Sequence, residues 1–65
     1  MNKDDYRSLF KSWKKYIKFN SFIKELGIIQ PNFSYFMNGS NRSMNIKELN
    51  DLYDLIVERL DQLIA

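Results

Sequence analysis

Phe22-Ile23-Lys24-Glu25-Leu26-Gly27-Ile28-Ile29-Gln30-Pro31-Asn32-Phe33-Ser34-Tyr35-Phe36-Met37-Asn38-Gly39 is the stretch on which the fold turns. Phe22, Ile23 and Leu26 share one side of a short helix expected over residues 20–26. Gly27 then supplies a residue that tolerates the left-handed backbone needed just past a helix end. After Ile28-Ile29, Gln30-Pro31 marks a new start, because the N–H that Pro lacks would have no intrahelical acceptor in a first turn. A third helix over residues 30–38 follows and closes on Asn38-Gly39. Phe33, Phe36 and Met37 recur at helical spacing and form its buried side. Pro31, Ser34, Tyr35 and Asn38 then point outward, with Gln30 and Asn32 on the flanks. Two short helices joined by so tight a turn leave the second proud of the surface.

Upstream, Asp4 or Asp5 is placed to cap a helix over residues 5–18, whose apolar residues Tyr6, Leu9, Phe10, Trp13, Tyr16 and Ile17 keep helical period. Arg7, Lys11, Lys14, Lys15 and Lys18 fall on one flank of that helix as a basic ridge. Downstream, Ser40-Asn41-Arg42-Ser43 reads as a polar loop. Asn45 and Glu48 form an N-x-x-E capping box, with Met44 and Leu49 as its hydrophobic staple. Leu49, Leu52, Tyr53, Ile56, Val57, Leu60, Leu63 and Ile64 carry a fourth helix over residues 46–64, on the order of 30 Å long. Leu55 falls off that face. No stretch alternates with period two, so the fold class is all-α. The architecture expected is a single domain over residues 1–65, a small bundle of four helices, or four to five, around a central helix-turn-helix at residues 20–38.

Composition narrows the function. A chain of 65 residues hides only about 60% of its unfolded surface, which leaves little room for an enclosed active site. The 45% hydrophobic content, with ten aromatic residues, is nevertheless enough for a core. The absence of Cys and His removes thiolate chemistry, the commonest metal ligand and the usual general base near neutral pH. An enzyme, a metal, a cofactor and a small-molecule ligand are therefore not expected. Asp51, Asp54, Glu58 and Asp61 read as a solvated helix face and not as a cation site. Tyr6 to Phe19 has the look of a basic amphipathic helix suited to membranes, but a domain this small needs that aromatic stripe for its own core. Met1-Asn2-Lys3-Asp4-Asp5 carries acids where a signal peptide needs an apolar run, so the expected location is the cytoplasm. The net charge of +2 conceals a division. Residues 1–43 hold eight basic and three acidic residues, or +5, whereas residues 44–65 hold two and five, or −3.

The stretch from Phe22 to Gly39 resembles the helix-turn-helix of the lambda-repressor-like family (Cro/cI, or XRE) in its apolar positions, its turn Gly, the Ile after it and its closing Asn-Gly. With one helix before and one capped helix after, the resemblance covers about three quarters of the chain. It departs from the family at Ile23, Ile29 and Pro31, where Ala, a small hydroxyl residue and often a polar base reader are usual. The resemblance implies sequence-specific binding to double-stranded DNA. Carried over by position, base contacts fall to Gln30, Pro31, Asn32, Ser34 and Tyr35. Gln and Asn suit the paired N6 and N7 positions of adenine, and Tyr suits a thymine methyl or a phosphate. Phosphate contacts fall to Lys18, Asn20 and Ser21, then to Asn38, Ser40, Asn41 and Arg42. Lys11, Lys14 and Lys15 are either solvated surface or an additional phosphate and steering surface.

A single helix-turn-helix supplies few base contacts, and such proteins commonly bind two half-sites as symmetric dimers. A homodimer built on the last helix is expected, through Leu52, Leu55, Leu60, Leu63 and Ile64. The corresponding function is a transcriptional regulator, a Cro-like repressor of phage or mobile-element type that acts by occupying its operator. The alternatives are a DNA-bending architectural or excision factor, and an antitoxin or inhibitor that uses the same scaffold to bind a protein.

Overall fold

Asn2 opens the first helix, α1 (Lys3–Trp13), earlier than the acidic pair suggested. Its Oδ1 accepts the Asp5 N–H at 2.8 Å and the Asp5 carboxylate accepts the Asn2 N–H at 3.1 Å, so Asp5 closes a capping box instead of capping alone. The helix also stops at Trp13 and does not run to residue 18. The Tyr16 and Ile17 N–H groups both turn back to the Trp13 carbonyl at 2.9 Å. That turn swings Phe19 inward, where its ring meets Phe10 edge-on at 5.5 Å and stacks on Phe33 at 5.1 Å. Burying one Phe side chain is worth about 1.5–3 kcal/mol, whereas one more pair on a helix stripe adds about 0.2–0.5 kcal/mol. The core therefore overrides the periodicity, and Tyr16 ends 86% exposed instead of buried.

The computed structural model describes the backbone of residues 1–64 and the side chains of residues 1–62. Among these residues the chain is all-helical, with four helices and no strand. α2 (Phe19–Glu25) and α3 (Gln30–Met37) end on the same device. After α2 the Gly27 N–H returns to the Lys24 carbonyl and the Ile28 N–H to the Ile23 carbonyl. After α3 the Gly39 N–H returns to Phe36 and the Ser40 N–H to Tyr35. This is the Schellman pattern, and it needs positive φ at the residue past the cap, here +73° at Gly27 and +116° at Gly39. A methyl group added at either glycine meets no atom within 4 Å, so only the backbone objects. Gly27→Ala is expected to cost about 1 kcal/mol and Gly39→Ala about 2 kcal/mol in urea unfolding. A neutral Gly39→Ala would contradict this account of the turn.

Phe33, Phe36 and Met37 are buried as expected, but α2 uses Phe19 and Ile23 for the core. Phe22 is half-buried and packs against that core, whereas Leu26 reaches the surface. α4 (Ile46–Ile64) begins with the expected box. The Glu48 N–H donates to Asn45 Oδ1 at 2.8 Å, the Asn45 N–H donates to Glu48 Oε1 at 3.1 Å, and the staple residues Met44 and Leu49 are both buried. Leu49, Leu52 and Ile56 seat α4 in the core. Trp13 stacks on Tyr53 at 5.7 Å, and the Tyr6 hydroxyl donates to Asn50 Oδ1 at 3.2 Å. Arg59 ties α4 to α2 through Glu25 at 3.1 Å and lies 5.7 Å from the Phe22 ring centroid.

The expected dimer surface changes accordingly. Leu52 is wholly inside its own protomer's core and is unavailable to a second chain, because α4 turns that side to α1 and α2. Leu55 is half-buried on the flank, and Leu60 is 37% exposed. The side chains of Leu63 and Ile64 lie outside the described residues. α3 and α4 each pack on α1 and α2, which stand between them. The radius of gyration, 11.3 Å, matches the roughly 11 Å of a folded chain this long. Among the described residues, no helix is long and apolar enough to cross a membrane.

Candidate nucleic-acid interface

The early end of α1 assembles the site. By turning at residues 14–16 the chain brings Lys14 and Lys18 to the mouth of a groove of about 580 Å³ between the α1–α2 turn and the start of α3. Phe19 and Phe33 form part of the groove lining, and Asn20, Ser21, Gln30 and Ser34 supply polar edges. Lys18, Asn20 and Ser21, expected on phosphate, thus share one concavity with Gln30 and Ser34, expected on bases. Gln30 Nε2 donates to Asn20 Oδ1 at 3.4 Å, which orients the amide and leaves its second N–H and its carbonyl free. The Ser21 hydroxyl donates to the Lys18 carbonyl at 3.5 Å.

Beyond the groove, Pro31, Tyr35 and Asn38 face solvent along the outer side of α3, with Ser34 exposed at the groove's edge. Asn32 is half-buried on the opposite flank from Gln30, which sets it back from that face. Ile29 was not expected here, yet it is 64% exposed, as Tyr35 is at 61%. The clue in the sequence was the pair Ile28-Ile29 in a tight turn, of which only one can point into the core, and Ile28 takes that place.

The second cluster expected on phosphate is held from behind by a residue the sequence assigned elsewhere. Arg7 does not join the basic ridge; its side chain is only 12% exposed. Its Nε donates to the Phe36 carbonyl at 2.7 Å, and one terminal nitrogen donates to the Ser40 carbonyl at 3.1 Å and to Asn41 Oδ1 at 2.6 Å. The other pairs with Asp4 at 2.7 Å, and the guanidinium lies 4.5 Å from the Phe36 ring centroid. Lys3 donates to the Asn41 carbonyl. Asn41 is therefore partly committed inside the fold. Asn38 and Arg42 stay exposed, Ser40 is half-buried, and the Arg42 N–H donates to the Ser40 hydroxyl at 3.3 Å. Lys11 and Lys15 are exposed on the α1 side.

The acids of α4 lie elsewhere. Asp54, Glu58 and Asp61 border a shallow depression of about 520 Å³ on the outer face of α4, and Asp51 is exposed on the same helix. No protein-family model, curated protein or solved structure matches the chain.

Proposed function

We propose that the chain is a sequence-specific double-stranded DNA-binding regulator with a lambda-repressor-like helix-turn-helix. It acts as a Cro-like repressor of phage or mobile-element type by occupying its operator. The observation that carries this reading is the groove at the start of α3, where Lys14, Lys18, Asn20 and Ser21 stand beside Gln30 and Ser34. Phosphate ligands next to amide and hydroxyl groups on an outward helix are the two halves of duplex recognition, one fixing register and the other reading edges. The acidic outer face of α4 supports the same orientation, since it belongs to the side that phosphate repels. Dimerisation uses the outer, C-terminal part of α4, where Val57 and Leu60 are incompletely buried. Half-sites then lie about 34–36 Å apart.

Selection from a random duplex pool tests the reading. A two-fold symmetric motif with that spacing is the expected result, and failure to enrich any sequence at low salt rejects it. Lys14→Ala and Lys18→Ala are each expected to weaken all sequences alike and to reduce the slope of log K against log salt by about 0.9. An unchanged slope in both variants would remove these lysines from the interface.

A further inference from the structure

The exposed face of α3 carries no charge at all. From Gln30 to Met37 there is no Lys or Arg to grip guanine O6 and N7, and no Asp or Glu to accept from cytosine N4. It offers two adjacent lines instead. Gln30 and Ser34, four residues apart, border the lysine-lined groove and carry the hydrogen-bonding groups. Pro31 and Tyr35, also four apart, are exposed on the outer side, and Ile29 is exposed at the N-cap before them. Nothing in the fold covers Ile29 or Tyr35, and an apolar line on an exposed helix has to meet something apolar when the helix is engaged. In the major groove the one apolar group that base edges offer is the thymine methyl. Four residues of helix advance about 6 Å and two base-pair steps about 6.8 Å, so a helix lying along the groove would set Pro31 and Tyr35 opposite base pairs two steps apart.

We propose that the operator core is a run of A·T pairs read chiefly through thymine 5-methyl groups, with Pro31 and Tyr35 as the methyl-contacting surface and Gln30 on an adjacent adenine. The proposal rests on the DNA-binding reading above and specifies its target. Its discriminating power comes from apolar contact and a single amide, so G·C pairs in the core lose both the methyl and the adenine pattern.

The test uses the intact protein and the duplex recovered by selection, with deoxyuridine replacing thymidine one position at a time. Deoxyuridine keeps the pairing edge and removes only the methyl. Each core replacement is expected to weaken binding about fourfold, the change that corresponds to unburying one methyl-sized group. Replacements outside the core have no such effect. Tyr35→Ala, at an exposed site that leaves the helical circular dichroism unchanged, abolishes the difference between thymidine and deoxyuridine at one core position. Equal affinity of the unaltered protein for both duplexes, or a selected core of G·C pairs, overturns the proposal and leaves DNA binding intact. The absence of any bound duplex at low salt overturns the DNA reading and this proposal together.

Discussion

Arg7→Met unfolds with a midpoint roughly 12–24 °C below that of the parent protein, at a cost of about 3 kcal/mol. The arithmetic starts from the partners. Phe36 supplies a carbonyl at the C-terminal end of α3, where intrahelical donors run out; it accepts the Gly39 N–H on one lone pair and Arg7 on the other. Arg7 caps that end from another helix and adds its charge to the negative pole of the dipole. Its bond to the Ser40 carbonyl fixes the chain just past Gly39. Hydrogen bonds to a charged group are worth about 1.5–3 kcal/mol each and do not add fully. The contact with Asp4 contributes little, because that carboxylate is open to water. Met fills the volume over the Phe36 ring but leaves two carbonyls without this donor. Arg7→Lys keeps the charge and loses the planar fork, so it should recover less than half of the loss. Full recovery by Lys would mean that charge alone acts here, and a cost for Met below about 1 kcal/mol would remove the tertiary cap altogether. For a domain of this size, with total stability of about 3–10 kcal/mol, the expected loss is a large fraction.

Arg7 also marks where reading the sequence stops. Helix existence was legible wherever a local rule operates: the N-x-x-E box of Asn45 and Glu48, Pro31 in the first turn of α3, and the glycines past α2 and α3. These signals involve residues within five positions of one another. Arg7 and Ser40 are 33 positions apart, and nothing local distinguishes an arginine that folds inward from the lysines beside it. The end of α1 was illegible for the same reason. Tyr16 and Ile17 continue the stripe perfectly well, and only the pull of Phe19 toward Phe10 and Phe33 ends it. Leu52 failed as an interface residue because amphipathic spacing identifies an apolar face but not which of two partners, the core or a second chain, will cover it. At the site, outward residues of α3 followed directly from the period of its buried side. The grouping of Lys14 with Gln30 did not, since it depends on the α1–α2 turn.

Phe10→Ala is the substitution expected to abolish folding near body temperature. Phe10 is fully buried, and its ring lies 5.9 Å from Tyr6, 5.8 Å from Trp13, 5.5 Å from Phe19 and 6.5 Å from Phe33. It therefore joins α1 to both α2 and α3. Phe→Ala in a core costs about 3–5 kcal/mol, from lost transfer energy and the cavity left behind. That range covers most of what a 65-residue domain has. Circular dichroism should show a largely unfolded chain at 37 °C, and Trp13, the only Trp, reports the same loss by fluorescence. Phe10→Leu, which keeps most of the volume, should remain folded with a lowered midpoint. A cooperative melt for Phe10→Ala within a few degrees of the parent would show that the aromatic cluster closes over the gap and is not the hub described. The same variant bears on function through linkage. A duplex that binds only the folded form adds about 2.7 kcal/mol of stability at a hundredfold excess over its Kd, enough to restore much of the helical signal of Phe10→Ala. Recovery with a duplex obtained by selection but not with an unrelated duplex of equal length would tie folding of the core around Phe10 to the proposed binding of DNA, because the ligand can stabilise only the arrangement it recognises.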